Sequence, residues 1–291
     1  MLRKNTEMKT KNILDLNEFI ELQKVLSDLQ ILNERLQAIV IDYNNYISEN
    51  PINSIHSKNI YESCENLKIR LSCVYFHTEM FCRHFKYIEN RLSNEKGLPD
   101  PPLIMSLTTQ FHYLFDSIIY NISSVYDYIA TLVNFIHNHG SLNYIKWNSA
   151  AKSYPSRSEE TYEYINKIHK EYVDGFFSYR SSLIHNKVDF IRPFVSYNVN
   201  MEHTTFIVKS SPFMIKHFKS LLEFTKTDDI SLKFATFHIV NKIIDHVTGI
   251  LFELKNYMEN NKKTDKLFMS IEENGEMVSA SKIYWRADLR R

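Results

Sequence analysis

Three long stretches of the chain, 14–48, 58–93 and 103–138, place apolar side chains at alternating steps of three and four, the spacing of helices packed along one face. In the first, Val25, Leu29, Leu32, Leu36, Ile39 and Tyr43 share a stripe; in the second, Ile60, Cys64, Leu67, Leu71, Val74 and Phe81 do so, with Thr78 as an interruption. The third is apolar around much of its circumference, from Leu107 and Phe111 to Leu132 and Ile136, which predicts the most buried helix of a bundle. Asn50-Pro51 ends the first stretch, because proline disfavours helical geometry in its predecessor. The run 94–102, with three prolines and a glycine, separates the second from the third.

Glycine is scarce, with five in 291 residues. Phosphate loops, dinucleotide-binding turns and barrels of many tight turns need left-handed backbone at many points, so this scarcity argues against them and for helices. Residues 141–157 show no sustained period and are read as a surface loop able to cover a site. Glu159 opens a further helix whose stripe, Ile165, Ile168, Tyr172, Phe176, Tyr179 and Leu183, runs through Gly175, where a bend or a close helix contact is expected. Beyond it the period changes to two, and 190–199 with 204–208 predicts a β-hairpin whose Pro193 marks an edge strand. Ser211-Pro212 starts a short helix, and Asp228 or Asp229 is expected to cap a long one ending near Met258. The last residues are more polar and form either a small hairpin around Asn274-Gly275 or a partly disordered tail.

These patterns predict a mostly α-helical protein, an antiparallel bundle with a small β-hairpin insertion. An N-terminal amphipathic helix (1–50) packs on a helical bundle over 51–260, with the hairpin at about 190–209, and a polar C-terminal tail follows over 261–291.

Thirty-five Lys and Arg against thirty-four Asp and Glu give a formal charge of +1, so no global field draws the chain to nucleic acid or anionic membrane, and RNA binding must rely on a local patch. The charged N-terminus has no apolar run after it, and no window reaches the length of a spanning helix, so a cytoplasmic protein without a membrane partner is expected. Cys64, Cys73 and Cys82 lie nine apart on one helix, too far for a disulfide, and read as reduced core residues. His77 with His84 and His137 with His139 match no zinc spacing, and no metal site is expected.

Chemistry concentrates in 172–187, where Arg180 and His185 frame four residues near the end of a helix. Arginine is permanently cationic with a fork of donors that fits phosphate, and histidine exchanges a proton near neutral pH. Together they suffice to cleave a phosphodiester without a metal, one stabilising charge on phosphorus and the other moving a proton on or off a ribose hydroxyl or leaving oxygen. Positions five apart on a helix point ~140° apart and are separated by ~7.5 Å along the axis, so one copy needs a bend or arginine's reach to unite them. The structural alternative has Arg180 bridging a carboxylate such as Asp174, Asp189 or, from the third helix, Asp127, with His185 capping a carbonyl. Ser181 caps the next turn or orients the imidazole, Asn186 and Lys187 stand where a phosphate contact would be, and Tyr179 and Tyr172 are candidate base-stacking rings.

An arginine, four residues and a histidine on a helix of an otherwise helical chain resembles the HEPN family of nucleotide-binding and RNA-cleaving domains. Arg180 and His185 occupy the motif positions, and 123–130, Ser-Ser-Val-Tyr-Asp-Tyr-Ile-Ala, is similar to the packed helix that precedes the motif in several branches. The resemblance implies a homodimer whose motif helices face each other across a cleft, with one histidine as base, the other as acid, and two arginines around the phosphate. It implies RNA cleavage by attack of the 2′-hydroxyl on the adjacent phosphate, with no cofactor, in a toxin or antiviral defence effector that an antitoxin or regulatory protein controls. Two positions depart from the pattern. Ser181 stands where the family often carries Asn, Asp or His, which bears on activity, and Lys187 stands where members modified by a nucleotidyltransferase carry a tyrosine, so that regulation is not implied. The alternative reading is a non-catalytic HEPN-like module that binds nucleotide, RNA or protein. A third is a plain helical interaction protein whose first helix pairs with a partner chain.

Overall fold

The structure, a computed structural model, describes residues 18–47, 55–94, 101–138, 143–153, 159–185, 193–197, 204–223, 230–262 and 265–286. Helices α1 (Glu18–Ile47), α2 (Ile55–Asn94) and α3 (Pro101–His137) occupy the three predicted stretches. With 40 residues, α2 is ~60 Å long, so its short connection to α3 lets the two pack only by folding back. The ring contacts fix the antiparallel register: Phe85 meets Phe111 at 4.2 Å, while Arg70, about four turns earlier on α2, lies over Tyr128, farther along α3.

The core is continuous from α1 to the long helix α8 (Leu232–Asn260), joining Val25, Leu36, Leu67, Ile118, Ile243 and Leu251. Every α3 side chain from 129 to 137 is buried, and so is every α8 side chain from 232 to 240 except Phe234. Two helices therefore share the centre that the sequence assigns to α3 alone. One buried polar pair joins them, as burial favours. Tyr126 and His246 meet at 2.8 Å, and burial, reinforced by Lys242, pushes the His246 imidazole down to about 4.

The segment read as a covering loop holds a helix instead, α4 (Trp147–Ser153), with Trp147 fully buried. Seven residues are too few to display a period, and the anchor is one large ring: Trp147 lies 5.1 Å from Tyr126, and its indole N–H donates to His169 Nδ1 at 3.3 Å. Glu159 then precedes α5 (Glu160–Ile168) without a side-chain cap; its Oε2 sits 2.7 Å from Nδ1 of His137 instead. A π-helical turn, His169–Val173, leads into α6 (Asp174–His185). The irregularity expected at Gly175 thus falls in the turn just before it. Gly175 makes a close helix contact: a Cβ there would fall 2.6 Å from the His217 carbonyl oxygen.

The predicted hairpin forms as β1 (Pro193–Tyr197) and β2 (Thr204–Val208), antiparallel, with Pro193 opposite Val208. Ser211 caps α7 (Pro212–His217) by accepting from Met214 N, and a 3-10 turn covers Lys219–Glu223. Helix α8 is capped by Ser231, which accepts from Phe234 N. Asp228 and Asp229, the expected caps, lie outside the described residues. In the C-terminal stretch β3 (Ser270–Glu273) and β4 (Glu276–Ser279) form a second hairpin, turned by Asn274 and Gly275 at φ 54° and 84°. Helix α9 (Ser281–Trp285) folds this cap onto α1. The protein is thus mostly α-helical with small β-hairpins. Among the described residues no helix is long and apolar enough to cross a membrane.

Candidate functional site

Helix α6 is held by its apolar side. Phe176 and Tyr179 are fully buried, Phe176 meeting Tyr126 at 5.6 Å and Tyr179 meeting Phe218 at 5.2 Å and Phe115 at 6.5 Å. With its ring also against Phe213 and His217, Tyr179 has no face open to a base, and the sequence reading of it as a substrate contact is corrected to a core residue. Its place on the apolar stripe already pointed that way. Tyr172 is buried as well, between Phe218 and His246.

Arg180 follows on the next side of the helix, half-buried. Its guanidinium carbon lies 5.8 Å from the centre of the Tyr120 ring on α3, a cation-π contact. Its Nε–H is buried and donates to no acceptor among the described residues. None of the described carboxylates forms an ion pair with it, so the bridges considered to Asp174 and Asp127 are not made; Asp189 lies outside the described residues. Asp127 has another task. Its Oδ1 accepts from the Trp147 backbone N–H at 2.8 Å and its Oδ2 from the Tyr144 hydroxyl at 3.2 Å. It thereby fastens the strand of chain before α4 to α3, helped by Thr131 Oγ1, which accepts from Ile145 N at 3.2 Å. Tyr144 also lies within reach of the Arg180 charge; its phenol is pushed up by burial and by Asp127, and Arg180 offsets part of that.

His185 ends α6 and is exposed, as is Ser181. On an unbroken α6, Arg180 turns toward α3 and His185 points ~140° away from it, so a single chain does not bring the two together. Asn186 and Lys187 lie outside the described residues. Sequence reasoning missed Tyr120 and Tyr144, which lie against Arg180 and Asp127. The available signal was Tyr113 and Tyr120, seven apart on α3 and out of phase with its buried stripe Phe111, Phe115, Ile118 and Ile122.

A cavity of about 700 Å³ lies elsewhere, between α1, the end of α8 and the C-terminal cap. Its polar groups satisfy one another: Trp285 Nε1 donates to Asp42 at 2.7 Å, Lys255 reaches Glu259 at 3.6 Å and Lys262 reaches Asp265 at 3.2 Å. Among the described residues no cluster of three or more His, Cys, Asp or Glu is arranged to hold a metal. No protein-family model, no curated protein and no solved structure matches this chain.

Proposed function

We propose that the chain is a metal-independent endoribonuclease of the HEPN type, acting as a homodimer that joins two copies of α6. The observation that carries this reading is a cation with no carboxylate partner among the described residues, on the same helix as an exposed histidine. Arg180 rests on Tyr120 and pairs with no carboxylate among the described residues, and exposed His185 stands less than two helical turns further on. A permanently charged fork that no carboxylate neutralises is free to receive a phosphate oxygen. In the reaction, His185 of one copy removes the proton from the 2′-hydroxyl, which attacks phosphorus; Arg180 holds the charge that develops on the phosphoryl oxygens. The 5′-oxygen then leaves with a proton from the second histidine, and a cyclic phosphate end remains. The same resemblance supports a role as a toxin or antiviral defence effector in the cytoplasm, controlled by an antitoxin or regulatory protein.

One observation favours a second reading. Because Arg180 and His185 diverge within one chain, a copy that stays monomeric presents an arginine site without its acid and base, and then serves as a non-catalytic module that binds RNA, nucleotide or protein. Purified protein incubated with RNA in EDTA decides between them. Cleavage that leaves cyclic phosphate ends and is lost in both Arg180→Ala and His185→Ala, with melting unchanged, is expected; binding without cleavage selects the second reading. Cleavage that survives both substitutions removes the first.

A further inference from the structure

Aromatic rings and arginines follow one another around Arg180. Arg70 on α2 lies 5.5 Å over Tyr128, Tyr128 meets Tyr144 edge-on at 6.3 Å, Tyr144 lies in the field of Arg180, and Arg180 lies 5.8 Å from Tyr120. Tyr113 extends the row, seven residues before Tyr120 on the same face of α3 and ~10.5 Å along its axis. Tyr113, Tyr120 and Tyr144 are 67%, 38% and 59% exposed, unusual for large rings within one row. The opposite, buried side of α3 explains their direction: Phe111 and Phe115 are committed to the core, so residues between those positions turn outward.

The row also has a polarity. Phe176 meets Tyr126, whereas Tyr179, three residues later on α6, meets Phe115, earlier on α3, so the two helices run in opposite directions where they pack. Tyr113 therefore lies toward the His185 end of α6, and Tyr144, tied to Asp127, lies toward the other end, with Arg180 between them.

We propose that this row is a track for single-stranded RNA: bases stack on Tyr144, Tyr120 and Tyr113, and Arg180 takes the phosphate between them. The proposal rests on the ribonuclease reading and names how its substrate is held. Aromatic faces interleaved with guanidinium groups bind any base by its π-face and the backbone by its charge, which gives affinity without sequence preference. The ring spacing selects the strand state. Tyr113 and Tyr120 are ~10.5 Å apart along the helix, against a rise of ~3.4 Å between stacked nucleotides. The rings therefore receive splayed bases, which a paired duplex does not offer. Two carboxylates border the row. Both oxygens of Asp127 are occupied by Trp147 and Tyr144, and Asp116, between Tyr113 and Tyr120, is engaged by another group. Asp116 repels a phosphate at its own step, and Arg180 is where the backbone is welcome.

The test uses the full chain and a fluorescein-labelled 2′-O-methyl oligouridylate, which cannot undergo 2′-hydroxyl attack, with binding read by anisotropy and cleavage of ordinary RNA assayed in parallel. Tyr113→Leu and Tyr120→Leu are each expected to weaken binding ~10-fold, the loss of one stacked base. Tyr120→Phe restores the ring and most of the affinity, Asp116→Asn tightens binding, and Tyr61→Leu, an exposed ring on α2 outside the row, changes nothing. Melting curves establish that each variant folds. Leucine variants that bind like the parent, a duplex that competes as well as the single strand, or a parent that does not bind the probe would overturn the track. Should the leucine variants lose binding while the parent cleaves no RNA, the ribonuclease reading falls and the track stands; cleavage by a parent whose binding ignores the rings leaves the opposite result.

Discussion

Arg286 in the C-terminal cap and Arg180 at the end of α6 are the same side chain in opposite surroundings. Arg286 forks onto both oxygens of Glu273, with Nη2 to Oε2 at 3.1 Å, and in turn holds the Glu273 carboxyl below its ordinary range. Arg180 has the Tyr120 ring and, among the described residues, no carboxylate. The cap also bounds a cavity of about 700 Å³, yet its charges are spent on one another, whereas the α6 arginine has no carboxylate partner among the described residues. Capacity to bind an anion follows the unmatched cation and not the empty volume.

The largest effect that sharpens this contrast is on RNA cleavage in EDTA. Arg180→Ala is expected to lower the rate ~100-fold or more, the loss of a group that meets charge developing in the transition state, and His185→Ala by a similar factor. Arg286→Ala in the same assay is expected to leave the rate untouched. Equal losses at both arginines would break the comparison, since a paired arginine would then matter as much as an unpaired one.

A second test is pH, because burial moves the two regions in opposite directions. Near α6, His246 has an ordinary pKa of 6.5 and is held at about 4 in the native protein, chiefly by burial. As pH falls through 6.5 the unfolded chain takes up a proton that the native chain refuses until about 4, so stability is lost across that window, by ~3 kcal/mol for this one group. In the cap, burial raises the Asp42 carboxyl despite the donors Ser281 and Trp285. Its native form holds a proton more readily than the unfolded chain, so acid favours the cap and the gain disappears as pH rises through the native value. Hydrogen exchange between pH 7 and 4 is expected to show α3 and α8 amides around His246 losing protection before those of the cap. His246→Gln should flatten the acid limb of the melting curve; an unchanged limb would mean that other groups set it.

The fold was legible because its signals are long. Stripes of many turns in α1, α2, α3 and α8 outweigh local propensity, and the Asn274-Gly275 turn names its own backbone geometry. Short elements were not. Helix α4 depends on the burial of Trp147, a tertiary event that leaves no period, and the cap of α8 passed to Ser231, whose bridge to Lys209 holds it in place. At the candidate site the sequence pointed to Arg180 and His185 by residue type, and it could not supply direction. Tyr179 was read as a surface ring because it adjoins Arg180, although neighbours in a helix face ~100° apart and its stripe is the buried one. Tyr120 and Tyr144 were missed because what brings them to Arg180 is the packing of α3 against α6 and the Asp127 anchor, contacts that span dozens of residues.

Within the cap a smaller effect separates ring from charge. Trp285 packs against Phe252 at 5.2 Å, carries Lys255 over its face at 5.4 Å and donates to the buried Asp42 carboxylate. Trp285→Ala removes that packing and one of the donors, and is expected to destabilise the protein by about 2 kcal/mol, below the full cost of a core tryptophan because the ring is only partly buried. Urea denaturation monitored by far-UV circular dichroism measures it.

Arg286→Ala is the smallest of these effects. The Arg286 side chain is exposed and Glu273 lies half-exposed at the surface, and such a pair gains little because water screens the attraction and two long side chains must be ordered to make it. The hairpin beneath is already closed by its own ladder, Ser270 opposite Ser279 and Glu273 opposite Glu276. The denaturation midpoint of Arg286→Ala should therefore coincide with that of the parent, at low salt and at high salt alike. A midpoint that drops as far as in Trp285→Ala, and only at low salt, would make the ion pair the fastener of the cap, and the contrast with Arg180 would become one of partner identity: a carboxylate that closes the fold at one end, and a phosphate that must come from outside at the other.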